Sequence, residues 1–366
     1  MSPQIRFTLD ARTAGAHFPG IGRYVRGLAG ALPAQLRPDE RLILLVDPAG
    51  GVSAFDIARV TAIPAPASPF GLSQQWRLPP ALQNADLYHS PYYLMPYRPG
   101  IPTVLTVYDL IPRLFPVTVT LRARLLFSLA TRMALRTATH VIAISNTCRD
   151  DHLAHFPRLD PRKITTIPLA PDSGFEPQPH TEIERVRRLH DLPAEFCLYV
   201  GVNKPHKNLV RLIEVWEQLD TRLPLVIAGA WDDRYPEARH AAARQAPDRI
   251  RFIGRIPDGD LPALYSACRL FVFPSLYEGF GLPVVEALAC GAAVACARTS
   301  SLPEVGGDAA TYFDPTDPGS MRSTLTLALA ALPDPAASLR QAARFSWKNT
   351  AAATLEIYRS LAYNEF

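Results

Sequence analysis

The chain has 366 residues, 48% hydrophobic and 20% charged, a composition that fits a folded protein and excludes an intrinsically disordered one. Its length exceeds one ordinary core and suits two domains. The net charge of +4 hides an asymmetry, because residues 1–170 hold 18 Lys and Arg against 10 Asp and Glu while the remainder holds 20 against 24.

The N-terminus, "MSPQIRFTLDARTAG", lacks the apolar core of a signal peptide, and no apolar run reaches about 18 residues. No membrane span is therefore expected, and the compartment is expected to be cytoplasmic. After the strand "QIRFTLD" comes "HFPGIGRYVRGLAGAL" (17–32), a helix with Gly20 and Gly22 at its start. Glycines there can place N–H groups beside a phosphate, although G-x-G alone is a weak signal. The runs "RLILLV" (41–46), "DLYHS" (86–90), "TVLTVYD" (103–109), "HVIAIS" (140–145) and "KITTIPL" (163–169) read as strands. "YHSPYYLMPY" (88–97) is aromatic-rich at a strand end, suited equally to packing and to stacking on an acceptor. The helix "LRARLLFSLATRMALR" (121–136) sets Leu121, Leu125, Phe127, Leu129 and Met133 among Arg122, Arg124, Arg132 and Arg136. Two readings stand for it: an amphipathic packing element, or a contact with an anionic membrane surface.

"PLAPDSGFEPQPH" (168–180), rich in Pro and polar residues, reads as an interdomain connection. A second strand series follows: "FCLYVGV" (196–202), "LPLVIAGA" (223–230), "IRFIG" (250–254), "LFVFPS" (270–275) and "AAVACA" (292–297). Continuous apolar strands alternating with helices predict two doubly wound parallel sheets, an α/β architecture whose ligands bind beyond the carboxyl ends of the strands. Domains are expected at 1–172, joined by a terminal helix at about 348–366, and at 173–347. The five cysteines, without paired spacing, read as small buried hydrophobes.

Two stretches of the second half carry chemistry. "YVGVNKPHKNL" (199–209) follows the first strand there and holds Gly201, Lys204, His206 and Lys207. The chain has only four lysines, and two of them are in this turn. A compact ammonium is suited to a diphosphate. "EGFGLPVVEALACG" (278–291) follows "LFVFPS" and carries Glu278 and Glu286 eight positions apart. Gly279 and Gly281 let the backbone approach a ligand, and Leu282–Pro283 open a helix with proline near its first position. Glu286 is expected in the first helical turn and both acids at the mouth of a cleft, where carboxylates grip hydroxyl pairs.

The stretch "EGFGLPVVEALACGAAVACARTSSLPEVGGDAATYFDP" resembles the E-x7-E signature of the retaining glycosyltransferases of family 4, and the resemblance extends over nearly the whole chain. It implies the GT-B fold, two Rossmann-like domains facing across a cleft, with the acceptor on the first and the donor on the second. Glu278 would contact hydroxyls of the donor sugar and Glu286 the ribose, while amides of Phe280, Gly281 and Leu282 line the sugar diphosphate. Lys207 matches the lysine that contacts the diphosphate. The arginine before it is His206 here, so that Lys204, or a protonated His206, is left to supply the second contact. Gly20 matches the position facing the donor phosphate, and the backbone at Arg255 and Ile256 borders the base.

"TVLTVYDLIPRLFP" carries Tyr108–Asp109 where many members carry His–Asp. Tyr108 is then a candidate donor to the sugar, and Asp109 either a catalytic group or a cap of the next turn. "SSLPEVGGDAATYFDP" (300–315) matches a family loop, and Glu304 reads as structural. "FSWKNTAAATLEIYRSL" (345–361) matches the terminal helix that returns to the first domain. The resemblance implies no metal and no cofactor, and no nucleic-acid partner is expected. Members with "V-Y-D-L-I-P" and "G-I-G-R-Y" build surface polysaccharides with mannose or related sugars. The implied donor is GDP-mannose, with a UDP-sugar second, and the implied acceptor is a glycan or lipid-linked oligosaccharide. The basic first half would then rest on the inner face of the membrane. A sugar-nucleotide epimerase or hydrolase and a non-catalytic scaffold are the rival readings on the same fold.

Overall fold

The computed structural model describes residues 4–15, 19–47, 59–245, 248–331 and 334–363. His17 and Phe18, which begin the first glycine motif, lie outside them, as do the last three residues of the terminal segment. Two compact units are present: Met1–Ala170 with Ser346–Phe366, and Pro171–Phe345.

The first unit holds β1 (Ile5–Asp10), β2 (Glu40–Val46), β3 (Val60–Pro64), β4 (Leu87–Ser90), β5 (Thr103–Val107), β6 (His140–Ala143) and β7 (Ile164–Thr166). They form one parallel sheet in the order β3-β2-β1-β4-β5-β6-β7. β4, β5 and β6 are buried along their whole length, as strands covered on both faces must be. The order reverses between β1 and β4, which marks the crevice where such sheets take ligands. There Asp10 accepts from Arg12 Nε at 2.8 Å and from the Tyr88 hydroxyl at 2.7 Å. A buried charge pair holds only when its remaining polar atoms are bonded. Arg12 meets this condition through the Ala67 carbonyl and the Gln74 side chain.

The helix Trp347–Ala362 completes this unit. Ser346 caps it by accepting from the Asn349 amide at 3.2 Å. The Tyr358 hydroxyl lies 2.6 Å from His89 Nδ1, whose other ring nitrogen is 2.7 Å from Thr106 Oγ1. Arg359 forks onto both oxygens of the fully buried Glu40, at 2.8 and 2.9 Å. Trp347 fills the space over Gly27, so that a Cβ at that glycine would overlap the indole.

The second unit holds β8 (Cys197–Val200), β9 (Leu225–Ala228), β10 (Ile250–Gly254), β11 (Leu270–Phe273), β12 (Val294–Ala297) and β13 (Ala310–Phe313). They form a parallel sheet in the order β10-β9-β8-β11-β12-β13, with the reversal between β8 and β11. All five cysteines are free and buried.

Two strands went unforeseen. β3 and β13 are edge strands with half-exposed burial patterns, and neither carries a continuous apolar run. The family loop expected at 300–315 instead holds a short helix, Leu302–Gly306, and β13.

Candidate active site

The residues of interest in the second unit stand on the two loops flanking its reversal point. After β8 the chain turns through Gly201 to Asn203 and enters a short turn of 3-10 helix, Pro205–Lys207. Proline fixes the entry to this turn. It ends at Asn208 in a left-handed conformation (φ +58°), which asparagine tolerates better than most residues. The Asn208 side chain donates to the carbonyls of Pro274 and Pro315, at 3.2 and 2.8 Å, and so ties the lysine's turn to the ends of β11 and β13.

After β11 comes the glutamate loop. The Glu278 amide donates to Ser300 Oγ at 2.9 Å. The Ser301 hydroxyl donates to the carbonyls of Glu278 and Phe280, at 3.0 and 2.8 Å. Gly281 then adopts φ +100° before the helix Leu282–Ala289, whose second residue is Pro283. A side chain at Gly281 would be strained, and its Cβ would stand 2.7 Å from Leu302 Cδ2. Among the described residues no acceptor takes the amides of Phe280, Gly281 or Leu282. Orphan donors at a helix start suit an anion.

These two loops bring Lys207 and Glu278 together: Lys207 Nζ donates to Glu278 Oε1 at 2.6 Å. The ammonium also lies 5.4 Å from the Phe273 ring centroid. Both side chains are largely buried, 14% and 10% exposed.

Two expectations change at this site. Glu286 is the fifth residue of its helix, not in the first turn, and is 2% exposed rather than at a cleft mouth. It accepts from the Tyr265 hydroxyl at 3.2 Å. His206 is buried, its carbonyl accepting from the Leu276 amide at 2.7 Å. Burial first, then the nearby charges of Lys207 and Lys204, push its imidazole down to about 3. That direction favours the neutral imidazole, which offers a phosphate no charge. Gly201 has a packing reason of its own, since a Cβ there would stand 2.7 Å from the Tyr199 hydroxyl.

Lys204 lines a separate cavity of about 490 Å³ with Trp231, Asp232 and Arg234, beyond β8 and β9. Arg255 is exposed and Ile256 buried, directly after β10.

In the first unit, Gly20 and Gly22 are the second and fourth residues of the helix Pro19–Ala31. A Cβ at Gly22 would press on the carbonyls of Ala14 and Gly15, whereas Gly20 faces open space. Asp109 accepts from the Ile111 amide at 2.9 Å, so it does cap the turn after β5. It also lies close enough to Tyr92 and Tyr93, two phenols chiefly raised by burial, to push them higher still. The Tyr108 hydroxyl was expected at the sugar. It is instead buried beside Tyr24 and Cys148, without a hydrogen-bond partner among the described residues.

Comparison with known proteins decides the family. The model described as Glycosyl transferases group 1 matches residues 181–344, and that described as Glycosyltransferase Family 4 matches residues 19–173. The O-antigen chain mannosyltransferase B of Escherichia coli is 33% identical over 294 residues, covering 75% of this chain and 74% of that protein. The chain belongs to the group 1, family 4 glycosyltransferases. The serotype-specific mannosyltransferase WbdA of Escherichia coli is 38% identical over 198 residues, 49% of this chain and 24% of that much longer protein. Among solved structures, Anabaena Alr3699/HepE in complex with UDP and glucose aligns with a TM-score of 0.75 at 18% identity, covering 98% of this chain and 100% of that one. That likeness shows the fold, two Rossmann-like parallel-sheet units of the GT-B class.

Sequence reasoning did not find Asp10 or Arg12 at the reversal point of this glycosyltransferase's first sheet, and it took Tyr88 and His89 only as part of the aromatic stretch 88–97. Polar residues inside a strand end, within "TLDAR" and "LYHS", were the available signal.

Proposed function

We propose that this glycosyltransferase moves mannose from GDP-mannose to a hydroxyl of a glycan or lipid-linked acceptor in polysaccharide synthesis, with retention of configuration. The 2.6 Å pair of Lys207 and Glu278 carries the reading. The names of three relatives, all mannosyltransferases and two of them O-antigen chain mannosyltransferases, support the sugar and the pathway class. A UDP-sugar is the second donor, on the strength of the complexes solved for the Anabaena protein.

In this reading the arriving diphosphate takes the Lys207 ammonium from Glu278. The released carboxylate then accepts from the sugar hydroxyls. Amides of Phe280, Gly281 and Leu282 receive the phosphate oxygens. Glu286, aligned by Tyr265, takes the ribose once the nucleotide displaces part of its cover. The bond from the sugar carbon to the phosphate oxygen breaks as the acceptor oxygen bonds to that carbon on the same face. The acceptor's proton passes to the departing phosphate, whose charge Lys207 stabilises. Charge compensation comes from these groups, and neither a metal nor a cofactor enters the scheme.

The membrane reading of the helix Leu121–Thr137 is also proposed. Phe127 packs inward on Tyr93, but Leu121, Leu125, Leu126 and Leu129 are each more than half exposed, among arginines. A surface-lying apolar row with basic flanks suits an anionic bilayer. No helix among the described residues is long and apolar enough to cross one.

The test is a donor panel of GDP-mannose, UDP-glucose and ADP-glucose with a mannan acceptor. GDP-mannose should be consumed fastest and give a product with the donor's anomeric configuration. Preference for another base, or an inverted product, would overturn the assignment.

A further inference from the structure

A second charged concavity lies in the first unit, at the amino-terminal ends of β6 and β7. That is the opposite end of the sheet from Asp109 and Tyr92. Its volume is about 550 Å³, within the range of small-molecule sites. Arg132 and Arg136 reach it from the last turns of the helix Leu121–Thr137, and Arg158 and Lys163 from the segment entering β7. The four cations are exposed around a floor of Leu135, Phe156 and Leu159, all buried. Arg113, outside this lining, stands 5.7 Å from the Phe156 ring centroid.

Among the described residues, none of Arg132, Arg136, Arg158 and Lys163 forms an ion pair or a side-chain hydrogen bond. The one carboxylate in the lining, Asp160, is held chiefly by Arg162 at 2.9 Å and also feels the charge of Lys163. Cations near a helix C-terminus do complement its dipole, which accounts for Arg132 and Arg136. Arg158 and Lys163 lie outside that helix, Lys163 closing the short 3-10 turn Pro161–Lys163, so the dipole of Leu121–Thr137 does not account for them. Four like charges around one concavity repel, and a polyanion relieves that repulsion while offering arginine its preferred forked acceptors.

We propose that this cavity binds a phosphate-bearing ligand, distinct from the sugar donor, with the phosphate on the Arg132, Arg136, Arg158 and Lys163 rim and its organic body on the apolar floor. A soluble phosphate ester and a phospholipid headgroup share that chemistry. The neighbouring leucine row gives the second source a route in.

The test uses the full chain carrying Lys207→Ala, which removes the donor-site ammonium. Two probes are measured: inorganic pyrophosphate by 31P NMR titration, and vesicles of phosphatidylglycerol against phosphatidylcholine by co-sedimentation. Adding Arg136→Glu with Arg158→Glu should weaken binding of at least one probe tenfold or more. Arg132→Glu with Lys163→Glu, placed separately on the rim, should do the same. Circular dichroism confirms that the exposed substitutions leave the fold intact. Saturable pyrophosphate binding lost on charge reversal supports a soluble ligand. Preference for phosphatidylglycerol vesicles lost on charge reversal supports a lipid headgroup. If neither probe binds the parent, or both bind the reversed variants equally well, the proposal fails.

Discussion

Lys207 and Glu278, 71 positions apart in the chain, meet at 2.6 Å between the loops that follow β8 and β11. Both are mostly buried, so each compensates the other's charge. Removing one leaves an uncompensated ion. Lys207→Ala and Glu278→Ala should each cost about 1–3 kcal/mol in urea unfolding. The double replacement Lys207→Met with Glu278→Leu should recover most of that stability and none of the transfer. Recovered transfer in the double variant would make the pair a folding device only.

The two acids and the lysine are separable in kinetics. Loss of a positioned donor of charge typically lowers turnover by about 10²–10³-fold. Lys207→Ala should show a fall of that size with saturating GDP-mannose, measured as GDP release. A change of less than fivefold would remove Lys207 from the reaction.

The histidines give a pH signature. His206 and His89 are pushed down to about 3 and His152 to about 4, in each case chiefly by burial. Their ordinary value, which the unfolded chain keeps, is about 6.5. The unfolded state therefore takes up protons first, and stability present above pH 6.5 is lost as pH falls below it, by about 1.4 kcal/mol per pH unit per histidine. Unfolding free energy should be lower at pH 5.5 than at 7.5, and His89→Gln should reduce the slope. Because His206 stays neutral, donor affinity should not rise as pH falls through 6.5. A rise that vanishes in His206→Asn would show a protonated imidazole on the phosphate.

Gly27 tests the docking of the terminal helix. A Cβ there overlaps Trp347, so Gly27→Ala should lower stability by about 1–3 kcal/mol despite alanine's better helix propensity. Equal or higher stability would mean the Trp347 ring yields freely.

The exposed leucines test the membrane reading. Leu125→Ser with Leu129→Ser removes two side chains that are 61% and 54% exposed, so the fold should lose little. Co-sedimentation with anionic vesicles should fall at least fivefold while turnover on a soluble acceptor holds. Undiminished sedimentation would point to packing as the helix's only role.

Much of this was legible in the chain. Continuous apolar runs such as "TVLTV" give both sheets, because strands covered on two faces need no alternation. The loops at β8 and β11 were also visible, since lysine is scarce here and the two glutamates keep their spacing. Edge strands β3 and β13 were not, being half-exposed and polar in part. Exposure misled at three positions. Glu286, His206 and the Tyr108 hydroxyl lie inside, and burial depends on neighbours from distant segments, Tyr265, Leu276 and Tyr24 among them. The Asp10–Arg12–Tyr88 cluster and the His89–Tyr358 pair join residues up to 269 positions apart, which no local pattern encodes.

The most direct measurement is isothermal titration of GDP and of GDP-mannose into the parent chain, Lys207→Ala and Glu278→Gln. An ammonium on the diphosphate affects both ligands, whereas a carboxylate on the sugar affects only the one that carries it. Lys207→Ala should weaken both at least tenfold, and Glu278→Gln should weaken GDP-mannose while leaving GDP within twofold of the parent. Parent-like binding of both ligands by either variant would contradict the account.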